Sequence, residues 1–191
     1  SGVSMISSAR RGGLTAEELE DVERGIDALA SSSVRVSILP TSKLPAVVDE
    51  VRALATEGAE IVFVDYVQEI TTDEQAEDRR LQVTRAAREL KAIAKELGIV
   101  LVLGSQLSRS AGRVRGNEPT SQSLKESGDL ENMAEIVIVL WRESDEPNAP
   151  TLGKVAKDKV SGERSRFRLV RENSGAIVDV APPLASSEFS D

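Results

Sequence analysis

The 191-residue chain has no cysteine and no histidine. That excludes disulfides, metal sites built on thiolate or imidazole, and Cys or Ser-His nucleophile pairs. Carboxylates, hydroxyls, amides and cations remain for any chemistry. Aromatic residues are nearly absent, the full set being Phe63, Tyr66, Trp141, Phe167 and Phe189. The core must therefore be aliphatic. No apolar run approaches the ~20 residues that cross a bilayer, and no basic stretch leads into an apolar one at the N-terminus. The expectation is a soluble, cytoplasmic protein. Acids outnumber bases, 32 Asp and Glu against 24 Lys and Arg, for a net charge of −8. The balance is otherwise ordinary for one globular domain.

What is present alternates between helical and strand patterns. Thr15 with Glu18 makes a capping box, Leu14 and Leu19 sit at hydrophobic-staple positions, and Leu19, Val22, Ile26 and Leu29 share the face of a first helix. Val34–Leu39 reads as a short β-branched strand. Val47, Val48, Val51 and Leu54 mark a second helix that stops at Gly58. Ile61-Val62-Phe63-Val64 is uninterrupted apolar sequence closed by Asp65, the pattern of a parallel strand buried on both faces. After a polar loop, a long helix carries Leu81, Ala86, Leu90, Ile93, Ala94 and Leu97 inward and ends at Gly98, and Ile99–Leu103 is a second buried strand. From Gly104 to Gly128 apolar residues give way to Arg, Ser and Gly, which predicts a long functional loop with a short helix near Gln122–Lys125. Ile136–Leu140 is a third buried strand. Leu152–Ala156, Phe167–Val170 and Ile177–Val180 form a short antiparallel set, and residues 181–191 a flexible tail.

In such a sheet, ligands gather at the carboxyl ends of the strands. Asp65, Gln106 and the basic loop converge there. An acid ending a buried strand can hold Mg²⁺ against phosphates, because a hard cation needs a hard oxygen on a rigid element; it can equally cap the loop that follows. Gln106, just past the second strand, can orient water or sense a terminal phosphate, or can be a polar loop residue. Charge is unevenly spread. Residues 1–100 hold 12 basic and 18 acidic side chains, whereas 153–171 hold seven basic (Lys154, Lys157, Lys159, Arg164, Arg166, Arg168, Arg171) against Asp158 and Glu163. With so few aromatics to stack on bases, these patches suit a nucleic-acid backbone bound in a sequence-tolerant, salt-sensitive way.

Three stretches follow one another in order: Val64-Asp65-Tyr66-Val67-Gln68, Leu90-Lys91-Ala92-Ile93-Ala94-Lys95-Glu96-Leu97, and Gly104-Ser105-Gln106-Leu107-Ser108-Arg109. Pro119, Ser123-Leu124-Lys125-Glu126-Ser127-Gly128, Glu131, Ala134, Trp141-Arg142 and Lys157-Asp158-Lys159-Val160-Ser161-Gly162 continue the order. This set resembles the C-terminal motor domain of DnaB-type replicative DNA helicases, a RecA-like ATPase that acts as a hexameric ring. The resemblance is firmest from Ile61 to Gly162. It implies an α/β fold over residues 1–180: a partial RecA-like, mostly parallel sheet with flanking helices and a C-terminal antiparallel hairpin. By resemblance, Asp65 is the Walker B acid for Mg²⁺ and ATP, and Gln106 couples the γ-phosphate to loops facing single-stranded DNA. Lys125, Glu126 and Gly128, with Arg109, Arg113 and Arg115 in the same loop, fall on the DNA side. Lys157 and Lys159 fall where the family reaches a neighbour's ATP. The second of these positions is normally an arginine finger, and a lysine there, a point charge rather than a fork, implies slower hydrolysis. Primase and a helicase loader are the partners the family implies.

One part of the pattern is missing. No G-x-x-x-x-G-K-[ST] phosphate loop occurs in the 191 residues, nor does the family's catalytic Glu on the strand that follows it. Ser1-Gly2, with no methionine before it, reads as a cloning remnant. The expectation is a motor-domain fragment that does not turn over ATP alone; the alternatives are a non-catalytic RecA-like DNA-binding or scaffold module, or another RecA-like ring ATPase. Because the phosphate-loop strand is central in such a sheet, the expectation is also that neighbouring strands close up or that a second copy fills the gap.

Overall fold

The computed structural model describes residues 13–72, 78–107, 128–142, 144, 146, 149–171 and 177–179. Helices α1 (Ala16–Ala30), α2 (Leu44–Thr56), α3 (Arg79–Leu97) and α4 (Gly128–Met133) accompany strands β1 (Ile61–Val64), β2 (Val100–Leu103), β3 (Ile136–Arg142), β4 (Thr151–Asp158), β5 (Arg166–Arg171) and β6 (Ile177–Asp179). The class is α/β, as expected. β1 and β2 pair in parallel, an isolated parallel bridge joins Lys43 and Thr71, and β3–β6 form a second sheet in that order, with β5 and β6 antiparallel. β2 and β3 have not closed up against one another: they lie in different sheets. No described helix is long and apolar enough to cross a membrane.

The described residues fall into two compact units, one within 39–141 and 154–165, the other within 13–38, 142–153 and 166–179. In the first, α2 and α3 supply most of the core. Leu44, Val47, Val48 and Val51 pack with Val83, Ala86, Ala87, Leu90 and Ile93, and with Val62, Val67 and Ile70 from β1 and the turn after it. The helical spacing of these side chains puts them on one stripe each, which is why the two helices form. α3 stops at Gly98, whose φ of 68° is the left-handed conformation that a helix end needs and that a Cβ would oppose. Register in the parallel pair runs from Ile61 opposite Val100 to Val64 opposite Leu103. Only one face of it is covered: Val62 is 5% exposed and Phe63 is 73% exposed. Likewise β3 buries Val137 and Val139 but exposes Ile136, Ile138 and Leu140. The expectation of strands buried on both faces is corrected accordingly. An unbroken apolar run cannot say which of its two faces has a neighbour.

In the second unit, α1 begins at the expected capping box, Thr15 accepting from the Glu18 amide and Glu18 from the Thr15 amide. None of its residues is buried. Val34–Leu39 forms no strand, and Val34, Val36 and Ile38 are exposed. β-branched residues supply the propensity, but a strand exists only where another pairs with it. Leu81, expected inward on α3, is half exposed. The expected helix near Gln122–Lys125 and the tail at 181–191 lie outside the described residues.

Candidate nucleotide and nucleic-acid site

The strand ends bring the first two expected residues together. Asp65 follows β1 directly, and Gly104 follows β2 at the matching level, its amide donating to the Val64 carbonyl at 2.9 Å. The chain after Asp65 then turns back, the Val67 amide donating to the Gly104 carbonyl at 2.9 Å and Val67–Glu69 making one 3₁₀ turn. Gly104 leaves space here: a Cβ on it would stand 3.1 Å from Asp65 Oδ1 and 3.4 Å from the Val64 carbonyl, so the carboxylate would have to shift. Its bareness keeps room beside an exposed carboxylate at the end of a rigid strand.

Gln106 is held to the same corner. Its amide donates to Gln68 Oε1 at 3.2 Å, while Gln68 Nε2 donates to Ser105 Oγ at 2.8 Å. The Tyr66 hydroxyl donates to Glu69 Oε1 at 2.6 Å. That bond, with burial, raises the Tyr66 pKa, and a weaker hydrogen bond with Gln106 opposes the rise. Asp65 and Gln106, read from sequence as separate signals, thus share one polar cluster with Tyr66, Gln68, Glu69 and Ser105. The last four were not singled out as site residues. Gln68 lies three residues past Asp65, and that spacing after a strand-ending acid was the available signal.

A second charged cluster contains Lys157 and Lys159. Lys157 is the second-last residue of β4 rather than lying in a loop, and Lys159 opens the turn beyond Asp158. Lys157 donates to the Glu131 carbonyl and Lys159 to the Asn132 carbonyl at 3.2 Å, while Lys91 of α3 donates to the Met133 carbonyl and to Glu135 at 2.6 Å. Lys159 also lies 3.5 Å from Glu135. Three cations therefore gather at the carboxyl end of α4, where the helix leaves carbonyls without partners. Burial, then the charge of Lys159, lowers the Lys157 pKa; the bond from Lys91 and the charge of Lys159 lower that of Glu135. Asp158 closes the turn by accepting from the Val160 amide at 2.7 Å, the Ser161 amide at 3.0 Å and the Ser161 hydroxyl.

Arg109, Arg113, Arg115, Lys125 and Glu126 lie outside the described residues. Gly128 is the first residue of α4, so the basic segment 108–127 runs from the Gln106 corner to the helix whose far end holds the lysines.

The model of the DnaB-like helicase C-terminal domain matches residues 2–180. The chain belongs to the DnaB-like helicase C-terminal domain family. Its similar relatives include the replicative DNA helicase DnaC of Bacillus subtilis (strain 168), 32% identical over 136 residues, covering 70% of this chain and 30% of that protein. The replicative DNA helicase DnaB of Mycobacterium intracellulare is 28% identical over 189 residues, covering 97% and 31%. This DnaB-like chain thus spans about a third of the curated relatives it matches. Among solved structures, it is similar to one described as the ATPase domain of G40P, with a TM-score of 0.78, 24% identity, and coverage of 94% of this chain and 66% of that one. Another, described as a DnaB-like replicative helicase and its interactions with primase, also has a TM-score of 0.78, at 23% identity and coverage of 94% and 47%. These two likenesses show that the chain shares the fold of those structures.

Proposed function

We propose that this DnaB-like chain contributes the magnesium corner and the DNA-facing side of an ATP-driven replicative helicase motor. The observation that carries this reading is the shared cluster of Asp65 and Gln106 at the carboxyl ends of two parallel strands, at the root of the basic segment 108–127. Asp65 is the Walker B acid. An exposed carboxylate beside a glycine fits a Mg²⁺ ion whose other ligands are water and phosphate. Bound there, Mg²⁺–ATP would supply the free energy of phosphate release. Gln106, a neutral amide, sits where a terminal phosphate can be sensed without repelling it. Arg109, Arg113, Arg115 and Lys125, with Glu126 and Gly128, would track the phosphates of single-stranded DNA, since a glycine lets a backbone N–H approach and cations supply charge without reading sequence. Lys157 and Lys159 are the cations for a neighbouring subunit's nucleotide in a hexameric ring, and leaving the α4 carbonyls would be the cost of reaching it. Primase and a loader are partners of the assembled helicase.

The phosphate loop is not among these residues, so no hydrolytic step is assigned to them alone. Titration of fluorescent ATP with Mg²⁺ onto this chain, beside Asp65→Ala, tests the reading. Millimolar or weaker binding is expected here, and tight, Asp65-dependent binding when the chain is joined to a phosphate-loop segment. Tight binding indifferent to Asp65→Ala would overturn the assignment of Asp65.

A further inference from the structure

Gln68 has no part in the functional reading above, yet its side chain makes two hydrogen bonds to the Ser105–Gln106 segment. We infer that Gln68 is a positioning residue, which locks Gln106 and the root of the basic segment to the Asp65 strand end. The inference rests on the proposed roles of Asp65 and Gln106 and adds the part that joins them.

The physical case begins with the backbone. β2 ends at Leu103, and beyond Gly104 the strand ladder that ties this chain to β1 stops. Ser105 and Gln106 must still be placed against the turn that follows Asp65. Gln68 does this with one amide group. Its carbonyl accepts from the Gln106 backbone and its NH₂ donates to the Ser105 hydroxyl, so the two bonds fix the direction of the chain as well as its distance. The amide itself is well anchored. It stands in a 3₁₀ turn between Val67, fully buried, and Ile70, 3% exposed, whose amide donates to the Val67 carbonyl at 3.2 Å. Gln68 is half-buried, and its bond to Ser105 is partly screened from water while that to the Gln106 amide is exposed. Both apolar neighbours belong to the core cluster formed by α2, α3 and β1. Gln68 thereby joins the Ser105–Gln106 segment to the turn that follows Asp65.

The test reads the Gln106 backbone amide by NMR hydrogen exchange, in this chain, beside the amides of Leu101–Leu103 as an internal reference. Gln68→Met keeps the length and removes both bonds; exchange at Gln106 should rise about fivefold to tenfold, the loss of one net hydrogen bond, with Leu101–Leu103 unchanged. Gln68→Glu should restore protection, because a carboxylate accepts from both the Gln106 amide and the Ser105 hydroxyl. Should Gln68→Met not fold, Ser105→Ala removes one bond and should give a smaller rise at Gln106. The affinity of Gln68→Met for a fluorescent oligo-dT should also fall about fivefold. Exchange at Gln106 that is unchanged, or that rises equally through β2 as general loosening would cause, overturns the inference. Loss of oligo-dT binding by the unaltered chain overturns the proposed function instead, and exchange at Gln106 still decides the role of Gln68.

Discussion

Helices α1 and α3 carry the same kind of message in sequence and meet different fates. Both are amphipathic, and both start at a side-chain cap, Thr15 in one and Asp78 in the other. Yet α3 buries Val83, Ala86, Ala87, Leu90, Ile93 and Ala94, whereas α1 buries nothing and leaves Leu19, Ile26 and Leu29 exposed. A periodic apolar stripe specifies a helix and the side that wants cover; it does not supply the cover. The two faces of β1 repeat the lesson, Val62 against the core and Phe63 facing out. The candidate site stands on the packed elements, because β1, β2 and α3 fix Asp65 and Gly104 through a shared core.

The contrast can be broken by substitution. Leu90→Ala should lower the stability of the chain by about 3 kcal/mol, since it empties a fully buried position, while Leu29→Ala should change it by no more than about 0.5 kcal/mol; urea melts followed by circular dichroism separate them. Comparable losses at both sites would mean that α1 is packed after all. In β1, Val62→Ala should cost about 2 kcal/mol by the same measurement, whereas Phe63→Ser should leave stability nearly unchanged and raise solubility, as expected of an open apolar face. Thr15→Ala removes the cap of α1 at a cost of about 1 kcal/mol to that helix. Because α1 shares no buried contact, amide exchange should quicken in residues 16–30 and stay the same in α3.

The smallest effect expected is electrostatic. Arg52 of α2 holds Glu96 of α3 through two bonds of 2.8 and 2.9 Å, and this keeps the Glu96 carboxyl below its usual value. A lowered folded-state value means that the contribution is complete above the unfolded carboxylate pKa and fades as the pH falls through the folded one. Thermal melts of Glu96→Gln and the unaltered chain should therefore differ slightly at neutral pH and converge in acid. The pair is largely exposed, so salt should shrink the difference as well.

Much of the frame was legible in the sequence because it rests on local chemistry. The Thr15 capping box, the Gly98 stop, the run Ile61–Val64 closed by Asp65, and the three C-terminal strands all follow from periodicity and terminator residues. What could not be read depends on partners. Val34–Leu39 has strand composition without a strand, and β3 has the run of a parallel strand but lies in the second sheet. In the candidate site, Asp65 and Gln106 stood out because each lies just past the end of a recognisable strand. Gln68 did not, since its importance lies in reaching a loop 37 and 38 residues away. The hold of Lys91, Lys157 and Lys159 on α4 was hidden for the same reason, joining residues from α3, β4 and the turn beyond it.

The central claim is a corner at Asp65 and Gln106 from which a basic segment meets the backbone of single-stranded DNA. The most direct test is the affinity of this chain for fluorescent oligo-dT and for a mixed-sequence oligonucleotide of equal length across a range of salt. The account predicts similar affinities for the two, with the logarithm of the binding constant falling linearly against that of salt by about 0.7 per phosphate contacted, and a shallower slope for Arg113→Ala and Lys125→Ala. No binding at low salt, or an affinity that follows base sequence and ignores salt, would contradict it.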